Sequence, residues 1–314
     1  MIKVLEIISD TNIGGAGVLL YSRLKHSDRS NFKTWVVLPK NSQLKKRMII
    51  ENIECIEMDR CKDSSFDVIG IFELINIIKK YRPDIINTHA CMSARIAAML
   101  CNVPIRIYTR HCAFPVSRIL RIPLTAKISG RVHEMLSTQM IAVAYAAKEN
   151  LMQMGIASKK IKVIINGVEG ITELDYNEKV KIRSMLGFGE NDIVVGICAR
   201  LEKCKDHECF LKAAKLLSDT ADKYKFIIIG DGGLRAELDA MTRRLKLSNI
   251  VRFIGFVEDV TPYLNILDIQ VNCSVGTETS SLALSEGMSI GLPSVASDFG
   301  GNPYMIEHGV NGLL

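Results

Sequence analysis

Short apolar runs alternate with amphipathic stretches along most of this chain. KVLEIIS, KTWVVLP, IECIEM, DIINTH, IRIYTRH, MIAVA and IKVIIN punctuate the first half, and DIVVGICAR, YKFIIIGDGG, IVRFIGF, DIQVNCS and PSVASD the second. Nearly continuous apolar runs of this length are expected of strands buried on both faces of a parallel sheet. The intervening GVLLYSRLKH, FDVIGIFELINIIKKY, SARIAAMLCN, AAKENLMQMG, HECFLKAAKLL, LRAELDAMTRRLKL and SLALSEGM read as helices. In the second of these, Phe72, Ile75 and Ile78 recur at helical spacing, and Lys79 and Lys80 occupy the last turn, where cations suit the helix dipole. Regular alternation of strand and helix predicts doubly wound parallel sheets.

The alternation fails once, at NGVEGITELDYNEKV, which is polar and without periodicity. It predicts a link between two Rossmann-like α/β domains, residues 1–170 and 171–314. Their strand C-terminal ends would face across a cleft, the place where such sheets bind ligands. A chain of 314 residues, 48% of them hydrophobic, fits two cores better than one.

Composition removes several function classes. No apolar run is long enough to cross a bilayer. Glu6 interrupts the apolar start, which therefore reads as a first strand and not as a signal peptide. Nine cysteines with no C-x-x-C pair argue for reduced thiols in a cytoplasmic protein and against a zinc site. Of these, Cys101, Cys198 and Cys273 fall in elements expected to be buried. A net charge of +6 and 6% aromatic residues give no nucleic-acid signature. The positive charge is uneven, however. Arg106, Arg110, Arg118, Arg121, Lys127 and Arg131 precede the next acid, Glu134. Mixed with Ile and Leu, they suggest contact with an anionic membrane surface, against the alternative of an ordinary solvated helix face.

The candidate chemistry sits where strands run into helices. ETSSLALSEG places Glu278 and Glu286 eight residues apart around a Thr-Ser-Ser cluster. Thr279, Ser280 and Ser281 are good helix caps and small enough for a phosphate to approach the backbone at a helix N-terminus. Glu286, within the helix, is spaced to hold a ribose, and Glu278 to face a group beyond the phosphate. ARLEKCKDHECF adds Arg200 and Lys205 at the end of another strand, a planar fork and a point charge for a diphosphate. GDGG from Gly230 is a third strand-end turn. IGGAG, with Gly14 and Gly15, looks like a dinucleotide loop, but Leu20 stands where the third glycine belongs, and no acid ends the second strand. NAD is thereby disfavoured. GMSIG matches a hydrolase elbow, but helix precedes and strand follows, the reverse of that motif's context. His89 and His111 end adjacent strands. No D-x-D occurs, so a metal–diphosphate site has no candidate.

Taken together, these residues resemble the retaining glycosyltransferases of family 4, of GT-B fold, along the whole chain. The carriers are Arg200-Leu201-x-x-x-Lys205, the Glu278-x7-Glu286 pair, FGGNPYMIEHGVNGLL and NGVE at the domain junction. The resemblance implies that Glu286 holds the ribose and that Arg200 and Lys205 hold the diphosphate. It places Glu278 beside the transferred sugar, with the amides of Thr279, Ser280, Ser281 and Leu282 on the donor. Phe256 and Val257 would line the base pocket, and His111 would stand at the reacting sugar. Gly14 and Gly15 would lie near donor phosphate and acceptor, with Gly230 also on the donor side and His89 on the acceptor side.

Ala144 and Tyr145 replace a usual Ser-Glu pair, a departure on the acceptor side. The implied reaction is metal-independent transfer, with retention and no cofactor, from a nucleoside diphosphate sugar. The donor would be UDP-linked and the acceptor a glycan or lipid-linked molecule. A nucleotide-sugar 2-epimerase and a non-catalytic nucleotide-binding homologue are the alternatives. Because NGLL resembles the start of the family's last strand, the sequence also suggests a shortened second domain. That would leave apolar surface near Leu313 and Leu314, a loosely fixed cleft and low activity.

Overall fold

The computed structural model describes residues 1–314. They form two compact units, Met1–Asn166 and Gly167–Leu314.

The first unit carries seven strands and six helices: β1 (Ile2–Ile8), α1 (Gly15–Lys25), β2 (Phe32–Pro39), α2 (Leu44–Ile50), β3 (Glu54–Met58), α3 (Val68–Tyr81), β4 (Ile85–His89), α4 (Met92–Leu100), β5 (Ile105–Arg110), α5 (Pro123–Leu136), β6 (Gln139–Ala142), α6 (Tyr145–Gln153) and β7 (Ile161–Val163). Its sheet runs β3-β2-β1-β4-β5-β6-β7, parallel throughout. The strand order reverses between β1 and β4, a topological switch point, where open α/β sheets bind ligands. Alternation along β1 divides its side chains: Leu5 and Ile7 join the core under α3 and α4, and Ile8 joins the core under α1 and α2. Glu6 shares Ile8's face, so its carboxylate points toward α1.

The second unit carries α7 (Tyr176–Met185), β8 (Ile193–Cys198), α8 (His207–Ser218), β9 (Tyr224–Ile229), α9 (Arg235–Arg244), β10 (Val251–Gly255), α10 (Thr261–Leu264), β11 (Ile269–Asn272), α11 (Leu282–Met288), β12 (Ser294–Ala296) and β13 (Gly312–Leu313). Its parallel sheet runs β10-β9-β8-β11-β12-β13, with the reversal between β8 and β11. Val195, Ile197, Phe226 and Ile228 pack under α8 and α9. Val194, Ile227 and Ile229 pack on the other face with Leu264, Leu267 and Phe188. At the β13 edge Leu313 is half exposed, and Leu314 packs against the small cluster of Leu284, Ala296 and Ile306.

Three expectations are corrected. The polar stretch expected to be irregular contains the first half of α7, started by a capping box in which Asp175 accepts from the Glu178 amide and the Glu178 carboxylate accepts from the Asp175 amide. In α3 the buried stripe is Gly70, Leu74 and Ile78, and Phe72 is exposed. Gly70 sets that rotation, because a Cβ there would stand 2.4 Å from Cys61 Sγ. Finally, Cys101, Cys198 and Cys273 are only partly buried, near strand and helix ends. The fully buried thiols are Cys61 and Cys91, and all nine cysteines are free.

Candidate functional site

In the second unit the switch point between β8 and β11 gathers a buried charge pair. β8 ends at Cys198, and the chain turns through Arg200 into a single 3-10 turn, Lys203–Lys205, before α8. Lys205 Nζ lies 2.8 Å from Glu278 Oε2 and 3.3 Å from Ser274 Oγ. Asn272, the last residue of β11, donates from Nδ2 to the same oxygen at 3.1 Å, and Ser274 Oγ donates to it at 2.9 Å. Glu278 is 6% exposed. Burial pushes its pKa up, but the charge of Lys205 and the hydrogen bonds from Lys205, Asn272 and Ser274 outweigh it, and the net displacement is downward. The group is therefore an ionised carboxylate held by one cation and two neutral donors.

The backbone around this pair is set by glycine contacts. Gly301 N donates to Glu278 O at 3.0 Å, and a Cβ on Gly301 would meet Thr279 O at 1.9 Å. Thr279 and Ser281 are buried, and Ser281 caps α11 by accepting from the Leu284 amide. Ser280 and Leu282 are partly buried beside them. Glu286, in α11, differs from Glu278. Its carboxylate makes no hydrogen bond or ion pair, and burial raises its pKa. Burial, together with the nearby Glu286 charge, also pushes the Cys198 thiol up to about 12.

The remaining expected donor residues divide. Arg200 does not join the Glu278 cluster; it is 68% exposed and pairs with Glu202 at 2.7 Å. Gly230 has φ +129°, and a Cβ there would stand 2.1 Å from Ala199 O, so its bareness lets the end of β9 support the Arg200 loop. Phe256 is 71% exposed, and Val257 packs into the core beside Leu264. The two thus point apart.

In the first unit, Gly14 caps α1 and Gly15 begins it; a Cβ on Gly14 would meet nothing, so the chain's own packing does not demand that glycine. His89 and His111 are in direct contact, Nδ1 to Nε2 at 2.8 Å. Behind them stands a residue the sequence reading used only to reject a signal peptide: Glu6 Oε2 lies 2.9 Å from His89 Nε2, and Glu6 Oε1 lies 2.7 Å from Arg23. Burial opposes ionisation of Glu6, yet Arg23 and His89 bring its pKa down to about 2. A lone acid in an otherwise apolar strand was the available signal, since a charge buried there needs partners. Asn272 and Ser274 were missed as well; the polar end of DIQVNCS marked them. No group of three or more His, Cys, Asp and Glu is placed to hold a metal ion.

Residues 13–169 match the family described as Glycosyltransferase Family 4, and residues 192–314 match the family described as Glycosyl transferases group 1. The chain is similar to the Escherichia coli UDP-Gal:alpha-D-GlcNAc-diphosphoundecaprenol alpha-1,3-galactosyltransferase, 28% identical over 270 residues, covering 81% of this chain and 68% of that protein. It is also similar to 2-deoxystreptamine glucosyltransferase of Streptomyces kanamyceticus, 24% identical over 249 residues, covering 74% and 64%. The matched part is thus about two thirds of each relative. Among solved structures, Anabaena HepE in complex with UDP-glucose superposes with a TM-score of 0.82 at 24% identity, over 100% of this chain and 85% of that one. That likeness shows the fold, two parallel-sheet domains of the GT-B class.

Proposed function

We infer a function from one premise: this chain belongs to glycosyltransferase family 4. It moves a sugar from a nucleoside diphosphate sugar, UDP-linked, to a hydroxyl of a glycan or lipid-linked acceptor in surface-polysaccharide synthesis, with retention. The second unit binds the donor and the first the acceptor. The observation that carries this reading is the Lys205–Glu278 pair at the β8/β11 switch point, with the unpaired carboxylate of Glu286 on the next helix. Glu286 has its acceptor oxygens uncommitted, as a ribose diol requires. Arg200 and Lys205 supply the positive charge that stabilises a departing diphosphate, a preorganised electrostatic effect that asks for no metal or other cofactor. Thr279, Ser280, Ser281 and Leu282 contribute backbone amides, Gly230 and Phe256–Val257 flank the nucleotide, and Gly14, Gly15, His89 and His111 serve the sugar and acceptor side.

A lipid-linked acceptor also gives a role to α5 and the 3-10 turn before it. Ile119, Ile122, Leu124, Ile128, Val132 and Met135 are all exposed, interleaved with exposed Arg118, Arg121, Lys127 and Arg131. This face suits the anionic inner surface of a membrane, bound peripherally. No helix of the chain is long and apolar enough to cross one.

Assay of transfer from UDP-, GDP- and ADP-sugars to polyprenyl-diphosphate-linked glycan acceptors tests the reaction. Acceptor-dependent release of UDP with retained anomeric configuration is expected. Conversion of UDP-sugar without acceptor would point to a 2-epimerase instead, and binding of UDP without turnover to a nucleotide-binding homologue. Cosedimentation with anionic vesicles tests the docking face. Binding that ignores lipid charge and salt would overturn it, because such attraction is screened within about 8 Å at physiological ionic strength.

A further inference from the structure

A chain of three side chains crosses the C-terminal ends of β1, β4 and β5, where the first unit's sheet has its switch point. Glu6 Oε2 faces His89 Nε2 at 2.9 Å, and His89 Nδ1 faces His111 Nε2 at 2.8 Å. Glu6 and His89 are both buried. Each end of the Glu6 carboxylate is fixed. Arg23 donates to Oε1 at 2.7 Å, and Asn87 Nδ2 donates to Oε2 at 3.0 Å. Asn87 cannot turn its amide round without losing Thr109, whose hydroxyl donates to Asn87 Oδ1 at 2.8 Å. At the far end, His111 Nδ1 is buried and has no hydrogen-bond partner within the chain.

Donors and acceptors must alternate along such a chain. The ionised Glu6 can only accept, so His89 Nε2 carries a proton. The charge of Glu6 is already met by Arg23, so His89 needs only the hydrogen it gives to Glu6, and it presents a bare Nδ1 to His111. That lone pair is met by an N–H from His111 Nε2. Burial, with the charge of Arg23 nearby, pushes the His111 pKa down, so this ring is neutral, and its remaining nitrogen, Nδ1, is a bare lone pair. Besides Arg23 and Glu6, the charged group facing this chain is Asp10, on the loop after β1.

We propose that Glu6 and His89 are positioning residues that fix the tautomer of His111, leaving its Nδ1 as a hydrogen-bond acceptor for a hydroxyl of the bound sugar. This rests on the placement of His111 at the reacting sugar in the function inferred above. Which way the chain points is set at Glu6, 83 residues from the nearer histidine in sequence. Glu6→Gln should reverse it. The amide oxygen of the new side chain is drawn to Arg23, the charged donor, which leaves its NH2 facing His89 and obliges Asn87 to turn its amide and give up the Thr109 hydrogen bond. His89 must then accept at Nε2, carry its proton on Nδ1 and donate to His111 Nε2. His111 would end with N–H at Nδ1, a donor where an acceptor is wanted. An Asp-to-Asn exchange behind a catalytic histidine installs a wrong tautomer by the same logic.

The test reads the tautomer directly. Two-bond 1H–15N correlation spectra of the full chain labelled with 15N-histidine are assigned with the His89→Gln and His111→Gln variants. The unmodified chain should show His111 protonated at Nε2 and bare at Nδ1. Glu6→Gln, folded by circular dichroism, should exchange the two and lower kcat about ten- to a hundredfold, the loss of one substrate hydrogen bond and its replacement by a repelling donor. The KM for the nucleotide sugar should move less than kcat. The proposal is overturned by an unmodified His111 protonated at Nδ1, by a folded Glu6→Gln chain with the tautomer unchanged, or by an exchanged tautomer with unchanged turnover. Should Glu6→Gln not fold, the spectrum of the unmodified chain still decides. Absence of any transfer by the unmodified chain would count against the glycosyltransferase reading, since the tautomer is read without turnover.

Discussion

Replacing Lys205 with methionine keeps most of the side-chain stem and removes its charge. Glu278 would then be a carboxylate in a buried site with only Asn272 and Ser274 as donors. Breaking a fully buried pair costs about 3–5 kcal/mol. Here Lys205 keeps 19% of its side chain in solvent and two neutral donors remain, so the smaller cost of a lost charge-assisted bond, about 2 kcal/mol, is the better expectation. For a unit of this size that lowers Tm by about 4–8 °C. The pH dependence separates this cause from generic damage. In the native chain the Glu278 pKa is depressed, so its contribution is present above the unfolded carboxylate pKa and fades as pH falls through the folded one. In Lys205→Met the burial term is opposed only by neutral donors, and protonation relieves the strain. The Tm gap between the two proteins should therefore shrink as pH drops from 7 toward 4. Thermal denaturation by circular dichroism across that range measures it, together with Glu278→Gln and the double variant, whose cycle gives the coupling. A gap that stays constant with pH, or additive single variants, would refute the reasoning.

Three other outcomes follow from the same geometry. Glu286→Gln should leave Tm unchanged or slightly higher, because it removes a buried carboxylate with no partner, and should weaken UDP binding by about 1–3 kcal/mol in calorimetry; in the native chain that binding should weaken as acid protonates Glu286. Gly301→Ala should lower both Tm and UDP affinity, since the added Cβ collides with Thr279 O and displaces the loop holding Glu278, an overpacking cost of about 1–3 kcal/mol. Lowering pH from about 6.5 toward 4 should destabilise the fold: His111, His133 and His207 are held neutral by burial, with pKa values pushed down to about 3, 4 and 4, so the unfolded chain binds more protons across that window. Chemical denaturation at stepped pH would read this as a falling midpoint.

What the sequence disclosed follows from where each residue's partners lie. Parallel strands buried on both faces write themselves as apolar runs, and twelve of the thirteen strands fall on such runs; the two-residue β13 was read only from the resemblance of NGLL. Helix α7 is polar, with no fully buried residue, so no periodicity marked it, and only the Asp175-x-x-Glu178 box could have done so. Phe72 misled because size suggests burial, whereas the rotation of α3 is set by what its smallest residue, Gly70, must seat against. That Lys205 and Glu278 lie on strand-end loops at one edge of one sheet was legible, an argument from topology; that they pair with each other was not. Arg200, read with them, lies outside the Glu278 cluster and pairs with its near neighbour Glu202, a contact that strand order cannot reveal. Glu6 was passed over because its meaning depends on burial among Arg23, Asn87 and His89, all distant in sequence.

The basic segment shows the same division within one run of charge. Six cations between positions 106 and 131 read as a single feature in sequence. In the fold they do two kinds of work. Arg106 lies on β5, and its guanidinium donates to the carbonyls of Val103, Met135 and Leu136, satisfying the C-terminal end of α5 where a helix dipole favours a cation. Arg110, two residues further along the same strand, donates to Tyr108 Oη and Asn150 Oδ1 and so ties β5 to α6. Neither has charge to offer a membrane. Arg118, Arg121, Lys127 and Arg131 lie on or before α5, whose buried face is Gly130, His133 and Leu136. Gly130 is required there because a Cβ would stand 2.0 Å from Gly155 O. That close approach fixes which side of α5 is inward, and so turns Leu124, Ile128 and Val132, at four-residue spacing, outward beside the four free-standing cations. The apolar stripe and the charge share one face because a single glycine contact orients the helix that carries both.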